Sequence, residues 1–183
     1  FTNLQLITVL QEAKKRKVSV HVTLNTVVKN AELAQLIGTL HFLEAVGVDA
    51  VIVLDWGVFY LARKFFPGLK IHASTQLGNH NSLGIRYSSE KGFRRVVLAR
   101  ELTLQELEQV VIKSDIETEV FVHGALCYSF SGMCLFSSYL GGRGANRGLC
   151  AQPCRREYQT ANQGKYLFNL KDNQLLEIIP KLA

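Results

Sequence analysis

Short apolar runs rich in β-branched residues recur along this chain, and most are followed by a stretch with helical spacing. Near-continuous apolar runs of this length are typical of strands buried on both faces of a parallel sheet. The alternation of such runs with helices predicts an α/β fold with parallel strands. Six runs are predicted strands: Val18–Asn25, Asp49–Asp55, Leu69–Gln76, Arg94–Glu101, Thr118–Gly124 and Tyr166–Asp172.

The segments between these runs carry recognisable helix ends. Asn30 is placed to cap a helix that stops before Gly47, and Thr103 with Glu106 forms a capping-box pattern. A weaker helix is predicted over 58–65, and a first helix precedes all strands. A barrel and an open sheet both fit this alternation. A (β/α)8 barrel usually needs about 250 residues and eight strands, so a barrel built by this chain would be partial, with six of the eight strands.

The composition fits one globular domain, because nearly half of the 183 residues are apolar and 20% are charged. No apolar run reaches the ~18 residues needed to cross a bilayer, and the first basic cluster follows an apolar stretch, the wrong order for a secretory signal. We therefore expect a cytoplasmic protein without a membrane segment. The sequence does not begin with Met, so we expect residues 1–183 to be a single domain that is a piece of a longer chain.

Polar side chains stand where the predicted strands end. His72 and Gln76 close the third run, Arg100 and Glu101 close the fourth, and His123 closes the fifth. Because the carboxyl ends of barrel strands meet on the face where active sites form, these five residues are the candidate catalytic and proton-transfer groups. Structural roles are the alternatives: His72 as a hydrogen-bonded core histidine, and Arg100 with Glu101 as an ion pair.

All four cysteines lie in one window after the fifth run, at Cys127, Cys134, Cys150 and Cys154. Only the last pair has a spacing typical of zinc sites, whereas wider spacings also suit an iron–sulfur cluster. Unpaired structural thiols, two disulfides, and a Cys127 nucleophile with His123 as its base are the alternatives. Disulfides would require an oxidising compartment, for which there is no signal, and a nucleophile would leave three thiols unexplained. A four-ligand site uses all four thiols, so we favour a metal centre, with iron–sulfur ahead of zinc.

Several arginines lie between or beside the last two cysteines, and their charge would offset that of four thiolates. Guanidinium groups also bind carboxylate or phosphate. Arg143, Asn146 and Arg147 are therefore the candidate substrate-binding residues. The net charge of +6 is compatible with an anionic partner such as RNA but is not diagnostic of one.

Two segments around the cysteines, EVFVHGALCYSFSGMC and LFSSYLGGRGANRGLCAQPCR, resemble the signature of peptidase family U-32, the collagenase-like peptidases. HASTQ, VVLARELT and LFNLKDN are similar to further blocks of that family, in the same order. The resemblance covers nearly the whole chain. It implies a TIM-type barrel with further strands before and after this sequence, and a 4Fe–4S cluster held by Cys127, Cys134, Cys150 and Cys154.

The resemblance implies two different activities. Some family members are reported as proteases, and others hydroxylate ribosomal RNA, a transfer-RNA wobble uridine or ubiquinone precursors without oxygen, the RNA-modifying ones using prephenate as the oxygen donor. SGMC, ANRGLC and QPCR look most similar to the RNA-modifying type. We therefore expect an iron–sulfur enzyme that hydroxylates a base in rRNA or tRNA with a small dicarboxylate donor. The alternative is a collagenase-like peptidase acting on proteins or peptides, although neither an HExxH nor a GxSxG motif is present.

Overall fold

A five-stranded parallel sheet lies at the centre of the protein. The computed structural model describes residues 2–159, 161 and 163–182. The strands lie side by side in chain order, and each neighbouring pair is parallel. They are β1 His21–Leu24, β2 Ala50–Val53, β3 Ile71–Ala73, β4 Arg95–Val97 and β5 Glu117–Glu119. The predicted α/β fold with a parallel sheet is confirmed.

Helices connect each strand to the next. Because crossovers between neighbouring parallel strands are right-handed, successive connections in one direction place their helices on the same face of the sheet. The helices are α1 Asn3–Lys15, which precedes the sheet, then α2 Leu33–Val46, α3 Trp56–Phe65, α4 Ser82–Lys91 and α5 Leu104–Ile112. Among the described residues, no helix is long and apolar enough to cross a bilayer.

The two faces of the sheet differ in chemistry. Val53, Ala73 and Val96 are register partners across three strands, are fully buried, and pack in one core with side chains of the helices. Side chains alternate between faces along a strand, so the intervening row points the other way. His72 and Arg95 belong to that second row. The polar strand residues therefore lie on the face away from the helices.

Short-range hydrogen bonds set most helix starts. The Asp55 carboxylate accepts from the backbone N–H groups of Gly57 at 2.7 Å and Val58 at 3.2 Å, which caps α3. The predicted capping box of Thr103 and Glu106 is confirmed at the start of α5. Asn30 does not directly precede α2; it begins a short 3-10 turn, and the helix proper starts three residues later.

The prediction of a sixth parallel strand is wrong. Residues 166–172 contain a turn and no strand, and the apolar Phe168 packs among the rings of Tyr128, Phe136 and Tyr158 instead. The fifth predicted run also divides in two, because only its first residues join the parallel sheet and its last two pair with residues 173–174. The remaining elements are β6 His123–Gly124, α6 Phe136–Gly141, β7 Tyr158–Gln159, β8 Gly164–Lys165, β9 Asn173–Gln174 and α7 Ile179–Leu182, with β6 antiparallel to β9 and β7 to β8.

Candidate functional site

A cavity of about 290 Å³ lies at the carboxyl ends of the strands. Its lining includes residues that follow β1, β3, β4 and β5, together with residues of the cysteine-rich segment: Asn25, Thr75, Gln76, Arg100, Phe121, His123, Ser131 and Asn173. Three predicted site residues, Gln76, Arg100 and His123, are thus brought to one cavity. A larger cavity of about 720 Å³ lies at the opposite ends of the strands, beside α1, and contains none of them.

The four thiols lie in a segment of short turns around α6. All four are unpaired; Cys150 is exposed, and the other three are partly buried. Backbone N–H groups donate to two sulfurs: Phe136 to Cys134 at 3.3 Å, and Gln152 to Cys150 at 3.4 Å. Hydrogen bonds of this kind stabilise thiolate sulfur and tune iron–sulfur centres. The donor chemistry therefore fits a thiolate-bound metal group.

Helix α6 contacts the second and third cysteines, the third through buried Ser137. Its hydroxyl donates to Cys150 Sγ at 3.7 Å and accepts from the Ala151 N–H at 2.9 Å. Ser137 is one residue from Phe136, whose N–H reaches Cys134, so α6 contacts both sulfurs. Over residues 2–159, 161 and 163–182, no three His, Cys, Asp or Glu side chains converge closely enough to hold a metal ion.

Cys127 has a different environment from the other thiols. Its Sγ lies 3.1 Å from Ser129 Oγ. Burial acts to raise the pKa of the Cys127 thiol, but hydrogen bonds to Ser129 and the nearby Arg100 guanidinium outweigh burial and lower the pKa below its usual value. A lowered pKa favours the thiolate, which is the form that binds metals and attacks electrophiles.

His72 and Gln76, which close the third predicted run, do not lie on the same strand. β3 ends at Ala73, and Gln76 lies in a 3-10 turn, where its N–H donates to the Ser74 hydroxyl at 3.3 Å. His72 stays within the sheet with 4% of its surface exposed, and its ring packs edge-to-face on His21 at 4.8 Å. Burial, followed by nearby positive groups including His21, lowers the pKa of His72 to about 4.

Gln76 and Arg100 both bind the backbone of the cysteine-rich segment. Gln76 Nε2 donates to Gly132 O at 3.2 Å, and Arg100 Nη2 donates to Ser129 O at 3.0 Å. Arg100 Nε is buried and has no hydrogen-bond partner among the described residues. Because Arg100 also lines the cavity, its guanidinium is a candidate donor to an anionic ligand there.

Glu101 contacts the same segment through both carboxylate oxygens. Oε1 accepts from the Ser131 N–H at 2.6 Å, and Oε2 accepts from the Ser131 hydroxyl at 2.7 Å. Burial acts to raise the pKa of Glu101, but these two bonds and the charge of Arg100 lower it overall. Sequence reasoning missed Ser131, which is fully buried, because a serine before a glycine in a loop carries no signal of burial.

The predicted substrate-binding residues have different settings. Arg147 pairs with the Glu32 carboxylate and donates to Val27 O at 3.1 Å. The side-chain Oδ1 of Asn146 accepts from the Cys134 N–H at 3.2 Å, and the backbone carbonyl of Asn146 accepts from the Val27 N–H at 3.0 Å. Both residues thus attach the cysteine-rich segment to the loop after β1. Arg143 is exposed.

The fold and site define an α/β protein whose cysteine-rich segment borders a cavity at the carboxyl ends of its parallel strands. The chain belongs to peptidase family U32, whose family model matches residues 1–183. A solved structure of a U32 peptidase has the same fold, with a TM-score of 0.57 at 16% identity, over 68% of this chain and 53% of that one.

Three relatives illustrate the range of names in the family. An uncharacterized protease of Methanocaldococcus jannaschii is 41% identical over 100% of this chain, and tRNA hydroxylation protein P of Escherichia coli K12 is 39% identical over 89%. The 23S rRNA 5-hydroxycytidine synthase of Escherichia coli K12 is 38% identical over 84% of this chain. This chain spans 48%, 36% and 24% of the three relatives, respectively.

Proposed function

We propose that this chain is part of an iron–sulfur enzyme of the cytoplasm that hydroxylates a base in tRNA or rRNA without O2. The observation that carries the proposal is the concentration of four unpaired thiols in one segment, of which Leu126, Ser131 and Gly132 line the cavity at the strand ends. Relatives named for tRNA hydroxylation and for 5-hydroxycytidine synthesis in 23S rRNA support RNA as the substrate. The net charge of +6 agrees with an anionic partner.

We further propose that the five strands are part of a TIM-type (β/α)8 barrel. Sequential order, parallel pairing and helices on one face are the arrangement of a barrel wall. In such a wall the row containing His72 and Arg95 would face the barrel interior. The cavity would then lie at the mouth of the barrel, where the active sites of this fold form.

The proposed metal group is a 4Fe–4S cluster held by Cys127, Cys134, Cys150 and Cys154. Bound there, such a cluster supplies one-electron transfer next to the cavity. The amide–sulfur hydrogen bonds to Cys134 and Cys150 would hold these ligands in the thiolate form. Zinc is the alternative metal, because three or four thiolates can also bind it.

The cavity residues suit a small anionic oxygen donor. The Arg100 guanidinium, which lines the cavity, can donate to a carboxylate of a dicarboxylate donor, and His123 lies in the same lining as a group able to transfer a proton. Exposed Arg143 is free of the Glu32 pairing that engages Arg147, so it is the better candidate for an RNA phosphate. The target base would have to be turned out of its stack to enter a cavity of this size.

A collagenase-like peptidase is the second candidate function. The lowered pKa of Cys127 favours it, because a thiolate is the nucleophile of cysteine peptidases, and a relative named as a protease agrees. His123 would be the base in that case. This alternative uses one thiol and leaves the other three without a role.

Metal analysis separates these proposals. Full-length protein purified without oxygen should contain about four iron atoms per chain, and replacing Cys150 with Ser should remove them. Tyr139→Phe, at an exposed position of the same segment, is the matched control and should keep the iron. A colourless protein with one zinc atom would rule out the cluster.

RNA analysis tests the substrate. A deletion strain should lack one hydroxylated base in its tRNA or rRNA by mass spectrometry, and Cys150→Ser should fail to restore that base. A peptidase that depends on Cys127 would keep its activity in Cys150→Ser. Loss of peptide cleavage in Cys127→Ser alone, with unchanged RNA, would favour the second candidate.

A further inference from the structure

Three side chains at the carboxyl ends of β3 and β4 converge on one turn of the cysteine-rich segment. Their four hydrogen bonds, at 2.6 to 3.2 Å, reach three residues of that turn: the carbonyl of Ser129, the N–H and hydroxyl of Ser131, and the carbonyl of Gly132. We call Gln76, Arg100 and Glu101 the clamp, and Ser129–Gly132 the clamped turn. Each clamp residue lies 29 to 56 residues from its bonding partner in the sequence.

The clamped turn has a backbone shape that needs outside support. Ser131 has φ 45° and ψ 30°, in the left-handed region that residues with a side chain rarely adopt, and it is fully buried. Gly132 follows with φ 81°, and a Cβ there would lie 3.4 Å from Gln76 Cγ. The hydrogen bonds of Glu101 fall on Ser131 itself, so the carboxylate supports the residue with the least favourable conformation.

Two predicted metal ligands flank the clamped turn. Cys127 lies two residues before Ser129, and Cys134 lies two residues after Gly132. A turn of fixed shape determines the separation and direction of the backbone on its two sides. The clamp therefore controls where the first two thiols are held relative to the strand ends.

We propose that Glu101 and Gln76 are positioning residues, which hold the clamped turn so that Cys127 and Cys134 present their sulfurs to one site. That this positioning serves a metal centre rests on the proposed function. The hydrogen bonds of the clamp do not depend on that proposal. Arg100 contributes through its bond to Ser129, in addition to facing the cavity.

The contacts of Glu101 favour a positioning role. Both carboxylate oxygens accept from Ser131, and Oε2 also lies 3.4 Å from His80 Nε2. The bonds to Ser131 favour the charged form of Glu101, which suits a fixed acceptor for the clamped turn.

Hydrogen exchange of the full-length protein tests the clamp directly. Glu101→Gln keeps the side-chain shape but puts an amide NH2, which cannot accept, in place of one carboxylate oxygen. We expect amide exchange in a peptide spanning Cys127–Cys134 to accelerate about fivefold, as expected for the loss of one hydrogen bond of ordinary strength, with exchange in α2 unchanged. Glu108→Gln, at an exposed glutamate of α5, is the matched control and should change neither peptide.

Two results would overturn the proposal: no acceleration in the clamped turn, or equal acceleration in α2, which would make Glu101 a contributor to general stability only. Gln76→Leu removes a second clamp donor and should give the same local effect, so the test survives if Glu101→Gln does not fold.

In protein purified without oxygen, we also expect Glu101→Gln to release iron to a chelator about fivefold faster at an unchanged melting temperature. Absence of iron in the wild type would contradict the proposed function and leave the exchange result to decide the clamp.

Discussion

The guanidinium of Arg147 pairs with the carboxylate of Glu32, 115 residues earlier in the chain, and so attaches the cysteine-rich segment to the turn before α2. Arg147 also donates to Val27 O, and the backbone carbonyl of the neighbouring Asn146 accepts from the Val27 N–H. The pair leaves 28% of the arginine and 39% of the glutamate side chain exposed, so water partly screens it. Its effect should therefore be local order more than overall stability.

Replacing Glu32 with Gln should loosen the attachment of residues 144–149. Glu32 has a pKa lowered to about 2, first by its hydrogen bond with Arg147 and then by the Lys29 N–H, so it is ionised at neutral pH. The pair stabilises the folded chain above the usual glutamate pKa of 4.5, and this contribution is lost as the pH falls from 4.5 towards 2. Limited proteolysis at neutral pH should cleave the segment faster in Glu32→Gln than in the wild type.

The control for this prediction is Glu12→Gln, in an exposed ion pair on α1 with Arg16. It should leave cleavage of residues 144–149 unchanged. Equal cleavage rates in Glu32→Gln and the wild type would contradict the attachment.

His72 should make the stability of the fold depend on pH. Burial is the main cause that lowers its pKa from 6.5 to about 4, followed by the positive groups His21 and Arg95; Glu117 acts in the opposite sense. Because the unfolded chain binds a proton more readily than the folded one, stability is complete above pH 6.5 and falls as the pH drops towards 4, by up to about 3 kcal/mol. Urea unfolding at several pH values measures this slope.

The variant His72→Leu should flatten the pH dependence between 6.5 and 4, since the side chain no longer titrates. His41→Gln, at an exposed position of α2, should retain the slope of the wild type. A slope that is equally steep in His72→Leu would assign the effect to other groups.

Replacement by alanine should change the free energy of unfolding in opposite directions at two glycines, one inside α2 and one directly after it. Gly47 ends the helix with φ 73°, where a side chain is strained, so Gly47→Ala should lower the free energy of unfolding by about 1 kcal/mol. Gly38 lies inside the helix with open space where a Cβ would be, so Gly38→Ala should raise it by about 0.5–1 kcal/mol. Denaturant titration of both variants checks the sign of each change, and two changes of the same sign would contradict the assigned helix end.

Helix α4 offers a matched pair of apolar positions. Ile85 is fully buried in the core and Leu83 is 70% exposed, two residues away. Ile85→Ala should lower the free energy of unfolding by about 2–5 kcal/mol, and Leu83→Ala should change it by less than about 0.5 kcal/mol. Similar losses at both positions would mean that α4 packs through a different face.

Much of the scaffold was predictable, because the signals for it are local. The apolar run around β2 predicts a buried strand, and Thr103 with Glu106 predicts the start of α5 from residues within one helical turn. The run Tyr166–Asp172 also contains several apolar residues, but Phe168 packs in an aromatic cluster with Tyr128 and Phe136. Composition alone does not distinguish these two forms of burial.

The parallel α/β scaffold, the concentration of all four thiols in one segment and the resemblance to the family could be read from the amino-acid order. The roles of the polar strand ends could not: His72 stays buried within the sheet, whereas Gln76, Arg100 and Glu101 hold the turn between Cys127 and Cys134. The difference arises from distance along the chain. Helix caps and strand periodicity depend on neighbours a few residues apart, but the partners of Glu101 and Arg147 are 30 and 115 residues away and meet only when the sheet has formed.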